Sequence, residues 1–318
     1  MDKGEDMEII IQLALLVVGF YMLIKGADLF VEGASKIADK FGIPQLVIGL
    51  TIVAMGTSAP EAAVSISAAF KGSAEISVGN VLGSNIMNVL VILGITGVIK
   101  MISVQETTVK REIPFTLLIT LILAFFGLAD GQIDRGEGAI LWVFFGLYLY
   151  YLLRMAKSGQ AEVEEVESGA NDSILKLVLF VVIGAVLIVW GSDISVDAAT
   201  KIAQIFGMSE RFIGLTIVAF GTSLPELVTS VTAAIKGKTD IAVGNIVGSN
   251  IFNILFVLGT SALIIPIPYA AGFKFDSMVA AITMVLLWGC VFKDKKMGRP
   301  GGITMLVAYA AYFVYLIR

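Results

Sequence analysis

The stretch "GLTIVAMGTSAPE", residues 49–61, decides the fold, and the chain carries it twice. Residues 214–226 read "GLTIVAFGTSLPE", and eleven of the thirteen positions are identical. Each copy begins apolar enough to lie in a membrane, yet ends in polar residues, a proline and a glutamate. Proline cannot donate the helical hydrogen bond to the carbonyl four residues earlier. Each copy therefore predicts a helix that breaks inside an apolar segment, beside a carboxylate.

The composition indicates an integral membrane protein. Hydrophobic residues make up 57% of the 318 residues and charged residues 15%, with a mean hydropathy of +0.92. Soluble domains carry about 25% charged residues, and the strict alternation expected of a membrane β-barrel is missing. The chain has no histidine and one cysteine, Cys290, which argues against an internal disulfide or a transition-metal centre. The acidic start "MDKGEDMEII" is unlike a secretory signal, so the first apolar run is expected to be a retained span.

Apolar segments long enough to cross a bilayer recur along the whole chain. They lie at 8–30, 43–70, 76–99, 113–129, 137–155, 174–195, 211–235, 241–265, 276–292 and 301–317. A polar, acidic stretch divides them into five and five. We therefore expect an all-α integral membrane protein of ten transmembrane helices: a first five-helix repeat at 1–155, a cytoplasmic acidic linker at 156–173, and a second five-helix repeat at 174–318.

The two halves are copies related by a constant offset of 165 residues. The offset also aligns "VGNVLGSNIMN" at 78–88 with "VGNIVGSNIFN" at 243–253, which share eight of eleven residues. Because five is odd, the second copy must enter the membrane from the opposite face, so the repeats are inverted. Inverted repeats with broken helices are typical of transporters whose site lies near the midplane.

The lysines and arginines give the orientation. Seven fall on the face that holds both termini and fourteen on the other face, and Lys25 lies inside the first span. The positive-inside rule then places both termini outside and the acidic linker inside the cell. With no targeting segment recognised, the cell membrane is the expected location.

The residues around each break offer oxygen ligands. Glu61 and Glu226 supply two negative charges, which one Ca²⁺ or two Na⁺ would balance. Hydroxyls come from Thr57, Ser58, Thr222 and Ser223. The second motif adds Ser84, Asn85 and Asn88 on one helix face, repeated as Ser249, Asn250 and Asn253. Its glycines, in "GNVLG" and "GNIVG", allow close helix packing. Ca²⁺ takes about 6–8 oxygens, so the two motifs together predict an oxygen cage for a hard cation.

Other polar residues have simpler interpretations. Interhelical hydrogen bonding is favoured over a ligand role for Asn85 and Asn250, and Asn80 and Asn245 are expected to be structural. The i,i+4 spacing of Asp28, Glu32 and Lys36, mirrored by Asp193, Asp197 and Lys201, predicts ion pairs near helix ends; a vestibule that attracts cations is the alternative. The acidic run "EVEEVE" at 162–167 is most simply a solvated linker.

The paired motifs resemble the two α-repeats of the Ca²⁺/cation antiporter superfamily, and most of all those of the Na⁺/Ca²⁺ exchangers. The resemblance implies that Glu61 and Glu226 bind both Ca²⁺ and Na⁺. It further implies ligands from the hydroxyls of Thr57, Ser58, Thr222, Ser223, Ser84 and Ser249, from the carbonyls of Ala54 and Ala219, and from Asn88 and Asn253 at the centre. It also implies alternating access, with the first and sixth spans sliding past a fixed core.

These features predict a Na⁺-coupled Ca²⁺ antiporter rather than an enzyme, with no resident cofactor. Its partners would be Ca²⁺, Na⁺ and the bilayer, with no nucleic acid, and a monomer is compatible with them. The resemblance implies a third Na⁺ per cycle, hence electrogenic exchange. It also implies aspartate at the position of Asn253 in K⁺-dependent relatives, so asparagine favours exchange without K⁺. The alternatives are H⁺/Ca²⁺ exchange, K⁺-dependent exchange, a passive cation channel and, least supported, an intramembrane hydrolase.

Overall fold

The computed structural model of the chain describes residues 3–158, 173–207, 219–270 and 272–316. Its helices are α1 (Lys3–Phe41), α2 (Gln45–Thr57), α3 (Ala59–Phe70), α4 (Glu75–Ile99), α5 (Thr108–Asp130), α6 (Arg135–Ser158), α7 (Ile174–Ile205), α8 (Ala219–Thr222), α9 (Leu224–Ile235), α10 (Thr239–Ile264), α11 (Phe273–Val291) and α12 (Arg299–Leu316). Seven of these are long and apolar enough to cross a membrane, and α2 with α3 would add one bent span. The protein is therefore a helical, multi-pass membrane protein.

Two short β-ribbons, absent from the sequence expectation of a purely helical fold, tie the loops together. Strand β1 (Ile102–Ser103) pairs antiparallel with β4 (Lys296–Met297), and β2 (Gln132–Ile133) pairs with β3 (Ile267–Pro268). Strands of two residues have no hydropathic signature of their own. Each ribbon joins a loop of the first half to a loop of the second that the sequence places on the same face.

An exposed charge cluster reinforces the first ribbon. Glu106 lies between Lys110 and Lys295, and its contacts with these two ammonium groups lower the pKa of its carboxyl to about 2. The Lys295 Nζ to Glu106 Oε2 distance is 2.6 Å. The start of α5 is thereby linked to the loop that precedes α12.

Helices α1 and α7, which correspond to the first and sixth expected spans, are longer than the apolar segments of those spans. The expected ends at residues 30 and 195 were too early, because α1 continues to Phe41 and α7 to Ile205. The added turns of α1 are polar and carry the predicted i,i+4 ion pair, confirmed at 2.8 Å between Lys36 and Glu32. Asp28 pairs instead across the halves, 3.1 Å from Lys236. A helix stabilised by charge pairs can leave the apolar layer, so hydropathy alone marks its end too early.

The predicted helix break is confirmed. Between α2 and α3 the chain bends by 52°, and Ser58 at the bend has φ −83° and ψ 9°. Ser223, at the equivalent position between α8 and α9, has φ −91° and ψ 3°. Pro60 and Pro225 lie in the first turn of the helix that follows, where a missing N–H costs little. The earlier part of the 211–235 segment, up to residue 218, lies outside the described residues.

Helices α4 and α10 form the centre of the molecule. In their most apolar windows 78% and 94% of the residues are buried, against 17% and 22% in α1 and α7. Both central helices change to π-helical geometry at an asparagine, in the segments Asn88–Leu93 and Asn253–Leu258. Such π turns are rare and frequently mark functional sites.

Helices α1 and α7 pack against each other, more than against any other element, through glycines. A Cβ added to Gly19 would lie 2.8 Å from the Gly191 carbonyl oxygen, and one added to Gly191 would lie 2.7 Å from that of Gly19. Gly26 and Gly184 repeat the arrangement at 2.8 and 2.7 Å. The 165-residue offset converts Gly19 into Gly184 and Gly26 into Gly191, so it turns one contact into the other. The packing of α1 against α7 is therefore nearly symmetric. Only glycine permits the two backbones to approach this closely. This close packing holds α1 and α7 together, although most of their surface is exposed.

We expect Gly184→Ala to lower the thermal stability of the protein in detergent, because the new methyl would lie 2.6 Å from the Phe30 nitrogen. Overpacking of this kind costs about 1–3 kcal/mol. The matched control is Gly289→Ala in α11, where no atom of the described residues lies within 4 Å of the added Cβ. Equal unfolding temperatures in both variants would contradict the proposed glycine contact.

Candidate functional site

Two glutamates are buried together at the helix breaks. Glu61 lies in the first turn of α3 and Glu226 in the first turn of α9, and each is 1% exposed. Ser58, three residues before Glu61, donates to Glu226 Oε1 at 2.8 Å, so the two helix breaks are in direct contact. Each carboxylate lies at a helix N-terminus, where unpaired N–H groups and the helix dipole favour negative charge. The two copies of the motif thus place two negative charges in one buried region.

Two amides come from the central helices. Asn88 and Asn253, 1% and 0% exposed, begin the π-helical segments of α4 and α10. The packing is crosswise, because α3 contacts the π-helical segment of α10 while α9 contacts that of α4. The carboxylate-bearing helix of each half therefore lies against the amide-bearing segment of the other half.

Several buried oxygens of this region accept no hydrogen bond of normal geometry from the described residues. They are both carboxylate oxygens of Glu61, Oε2 of Glu226, Oδ1 of Asn88, Oδ1 of Asn253 and Oγ of Ser223. Leaving one buried polar group unsatisfied costs about 1–3 kcal/mol, and more for a charged group. Carboxylate, amide and hydroxyl oxygens are the ligands of hard cations such as Ca²⁺. The donor set fits such an ion as cargo.

Other predicted ligands are engaged with the protein. Ser58 Oγ donates to Glu226 Oε1 at 2.8 Å, which joins the two halves directly. Thr57 Oγ1 donates to Asn245 Oδ1 at 2.9 Å. The Ala54 carbonyl accepts from the Ser58 N–H at 3.0 Å and from Ser249 Oγ at 3.4 Å. These groups surround the orphaned oxygens but are not free in this conformation.

For three other predicted site residues, Ser84, Thr222 and Ala219, the structure gives the position in the fold but fewer contacts. Ser84 is buried on α4, in the turn that precedes Asn88. Thr222, at the end of α8, interacts with Glu61 through its side chain. Ala219 begins α8.

The structural role expected of Asn80 and Asn245 is confirmed. Asn80 Nδ2 donates to Ser65 Oγ at 2.9 Å and to the Glu61 carbonyl at 3.2 Å. Asn245 Nδ2 donates to Ser230 Oγ at 2.9 Å and to the Glu226 carbonyl at 3.5 Å. These amides tie α3 and α9 to the central helices beside the carboxylates.

The sequence interpretation missed Ser192. Pro225 leaves the Gly221 carbonyl without its helical donor, and Ser192 Oγ on α7 donates to that carbonyl at 2.8 Å. The equivalent residue in α1 is Ala27, which has no hydroxyl. A serine at one repeat position and an alanine at the other is the signal that could have indicated it.

Comparison with known proteins shows which family this chain is similar to. The sequence model of the family described as "Sodium/calcium exchanger protein" matches twice, over residues 11–154 and 176–318. The protein CaxA of Alkalimonas amylolytica is 42% identical, with 93% of this chain and 96% of that protein covered. The sodium/calcium exchanger MaX1 of Methanosarcina acetivorans is 31% identical, with 97% and 99% covered. The solved structure of the sodium-calcium exchanger NCX_Mj superimposes with a TM-score of 0.83 and 34% identity, covering 96% of this chain and 99% of that one.

Proposed function

Because this chain belongs to the sodium/calcium exchanger protein family, we propose that it is a secondary antiporter that exchanges Na⁺ for Ca²⁺ across the cell membrane. The observation that carries the proposal is the group of orphaned, buried oxygens contributed by Glu61, Glu226, Asn88, Asn253 and Ser223. Two carboxylates balance either one Ca²⁺ or two Na⁺, so one site can hold the two ions alternately. Mutually exclusive occupancy of one site is what antiport requires.

The architecture proposed for this activity is ten membrane helices in two inverted repeats, with both termini outside. The reciprocal contacts support it, since the Gly19–Gly191 contact becomes the Gly184–Gly26 contact under the 165-residue offset. In the proposed cycle α1 and α7 move as one unit across the central helices, exposing the site to each side in turn. Their mostly exposed surfaces and mutual glycine packing suit a unit that slides.

The experiment that tests the function is ⁴⁵Ca²⁺ uptake into proteoliposomes under imposed Na⁺, K⁺ or H⁺ gradients. We expect uptake to be driven by an outward Na⁺ gradient and to respond to a valinomycin-clamped potential. Three Na⁺ for one Ca²⁺ moves one net charge, worth about 2.3 kcal/mol per 100 mV. Uptake without any counter-ion inside the liposomes would instead indicate a channel. Uptake driven only by a H⁺ gradient would show that H⁺, and not Na⁺, is the coupling ion.

Glu61→Gln or Glu226→Gln should reduce Na⁺-driven Ca²⁺ uptake to the level of empty liposomes. Either change leaves a divalent ion only half neutralised in a poorly solvated site, where charge imbalance is costly. The matched control is Glu112→Gln, which neutralises a carboxylate that is equally buried but lies in α5 and contacts Tyr151 rather than the motif. Normal uptake in a Glu61 or Glu226 variant would rule out the proposed site.

Exchange is further proposed to proceed without K⁺, because the centre of the site carries neutral amides in both halves. Asn253→Asp adds a third negative charge and removes the N–H donated to Asn85 Oδ1 at 3.2 Å. We expect this variant to need K⁺ for Na⁺-driven Ca²⁺ uptake, since an uncompensated buried carboxylate is expensive. The measurement is uptake with and without K⁺ in both proteins. An absolute K⁺ requirement in the unmodified protein would contradict the assignment.

A further inference from the structure

Asn85 and Asn250 occupy equivalent positions of the two sequence repeats and contact each other reciprocally. Asn85 Nδ2 donates to the Asn250 carbonyl oxygen at 3.2 Å, and Asn250 Nδ2 donates to the Asn85 carbonyl oxygen, also at 3.2 Å. Both side chains are buried, at 4% and 2% exposure. We call this reciprocal pair of Asn85 and Asn250 the amide clamp.

The clamp continues to the two central amides. Asn253 Nδ2 donates to Asn85 Oδ1 at 3.2 Å, and Asn88 Nδ2 donates to Asn250 Oδ1 at 3.0 Å. Each clamp residue thus holds the central amide of the opposite half. All four Nδ2 groups and both clamp Oδ1 atoms are used, which leaves the Oδ1 atoms of Asn88 and Asn253 without a donor among the described residues.

This network has one self-consistent set of amide orientations. A main-chain carbonyl can only accept a hydrogen bond, so the side of Asn85 that faces the Asn250 carbonyl must be its NH₂ group. The Asn85 side-chain oxygen must then face Asn253, and Asn253 can donate a hydrogen bond to that oxygen only through its own NH₂ group. The same reasoning applies from Asn250 to Asn88. Both central amides are therefore forced to present oxygen, and never N–H, in the direction left open.

We infer that Asn85 and Asn250 are positioning residues that orient the Asn253 and Asn88 oxygens toward the transported cation. The inference rests on the proposed function, since it takes the buried carboxylate region as a cation site. A freely rotating amide would present N–H groups to the ion in part of its population, and these repel a cation. Holding the oxygen inward removes that population and the entropy cost of ordering the ligand when the ion binds.

The test is a double-mutant cycle on Ca²⁺ affinity, measured by calorimetry on the purified full chain in detergent. We expect Asn85→Ala to weaken binding about tenfold, within the range of couplings between contacting residues. Because Asn85 acts only through Asn253, Asn85→Ala should weaken binding no further in a chain that already carries Asn253→Ala. If the two effects multiply instead, Asn85 is an independent ligand or a general structural element, and the inference is wrong.

The crosswise geometry supplies a matched control cycle. Asn85→Ala keeps the main-chain carbonyl that accepts from Asn250, so Asn250 still holds Asn88 in place. The effects of Asn85→Ala and Asn88→Ala should therefore multiply. The mirror-image change Asn250→Ala should couple to Asn88→Ala and not to Asn253→Ala. Equal coupling in every combination would overturn the assignment, because a general loosening of the core predicts that result.

Folding and function are separated by two further measurements. Thermal unfolding without added cation reports whether each variant is folded; if Asn85→Ala is not, the Asn250→Ala cycle tests the same inference from the other half. If the unmodified protein binds Ca²⁺ but does not exchange it for Na⁺, the proposed antiport is wrong. The double-mutant cycle on Ca²⁺ affinity would still test the role of the amide clamp. No calorimetric response of that protein to Ca²⁺ or to Na⁺ would overturn both.

Discussion

The structure depends on how two carboxylates are kept together inside a membrane protein. Glu61 and Glu226 are almost fully buried and repel each other, and an uncompensated buried charge costs several kcal/mol. The compensation must come from helix N-termini, from hydroxyls and from cargo. The broken helices bring the N-termini to the carboxylates. In the second half the motif glycines allow the close packing this needs, since a Cβ on Gly248 would lie 2.8 Å from the Ala54 Cβ; the equivalent Gly83 has no described atom within 4 Å of such a Cβ.

The two halves differ in the hydrogen bonds that their glutamates accept, although the motifs are nearly identical in sequence. Ser58 donates to Glu226 at 2.8 Å, whereas the equivalent Ser223 makes no such bond to Glu61, and Glu61 interacts with the Thr222 side chain instead. Residues of equal chemistry therefore differ in what they have left to offer an ion. In the described conformation the Ser58 hydroxyl already donates to one oxygen of Glu226, and that oxygen keeps a lone pair with which it could also contact an ion.

The sequence predicted those features that follow from the identity of a residue. Pro60 has no N–H, so a break was certain wherever the segment was helical, and the repeated Glu61 and Glu226 predicted a shared site. The partners of the amides were not predictable, because a π-helical segment changes which side chains share a face. The role of Ser192 depends on a neighbour in another helix. The end of α1 was set too early, since polar turns give no hydropathic signal.

The long helices and the site are connected, and differently in each half. In the second half, the Ser192 hydroxyl on α7 holds the Gly221 carbonyl, one residue before Thr222. In the first half, Ala27 offers no such bond, and the contact is apolar, with the Phe30 ring 2.8 Å from where a Cβ on Gly56 would lie. A hydrogen bond resists separation, whereas an apolar contact tolerates sliding. A displacement of α1 and α7 relative to the core would therefore have to carry α8 with it or break the Ser192 hydrogen bond, whereas in the first half it would have to shift the apolar contact between Phe30 and Gly56. The near-symmetric fold thus differs between its halves in how the long helices contact the helix breaks.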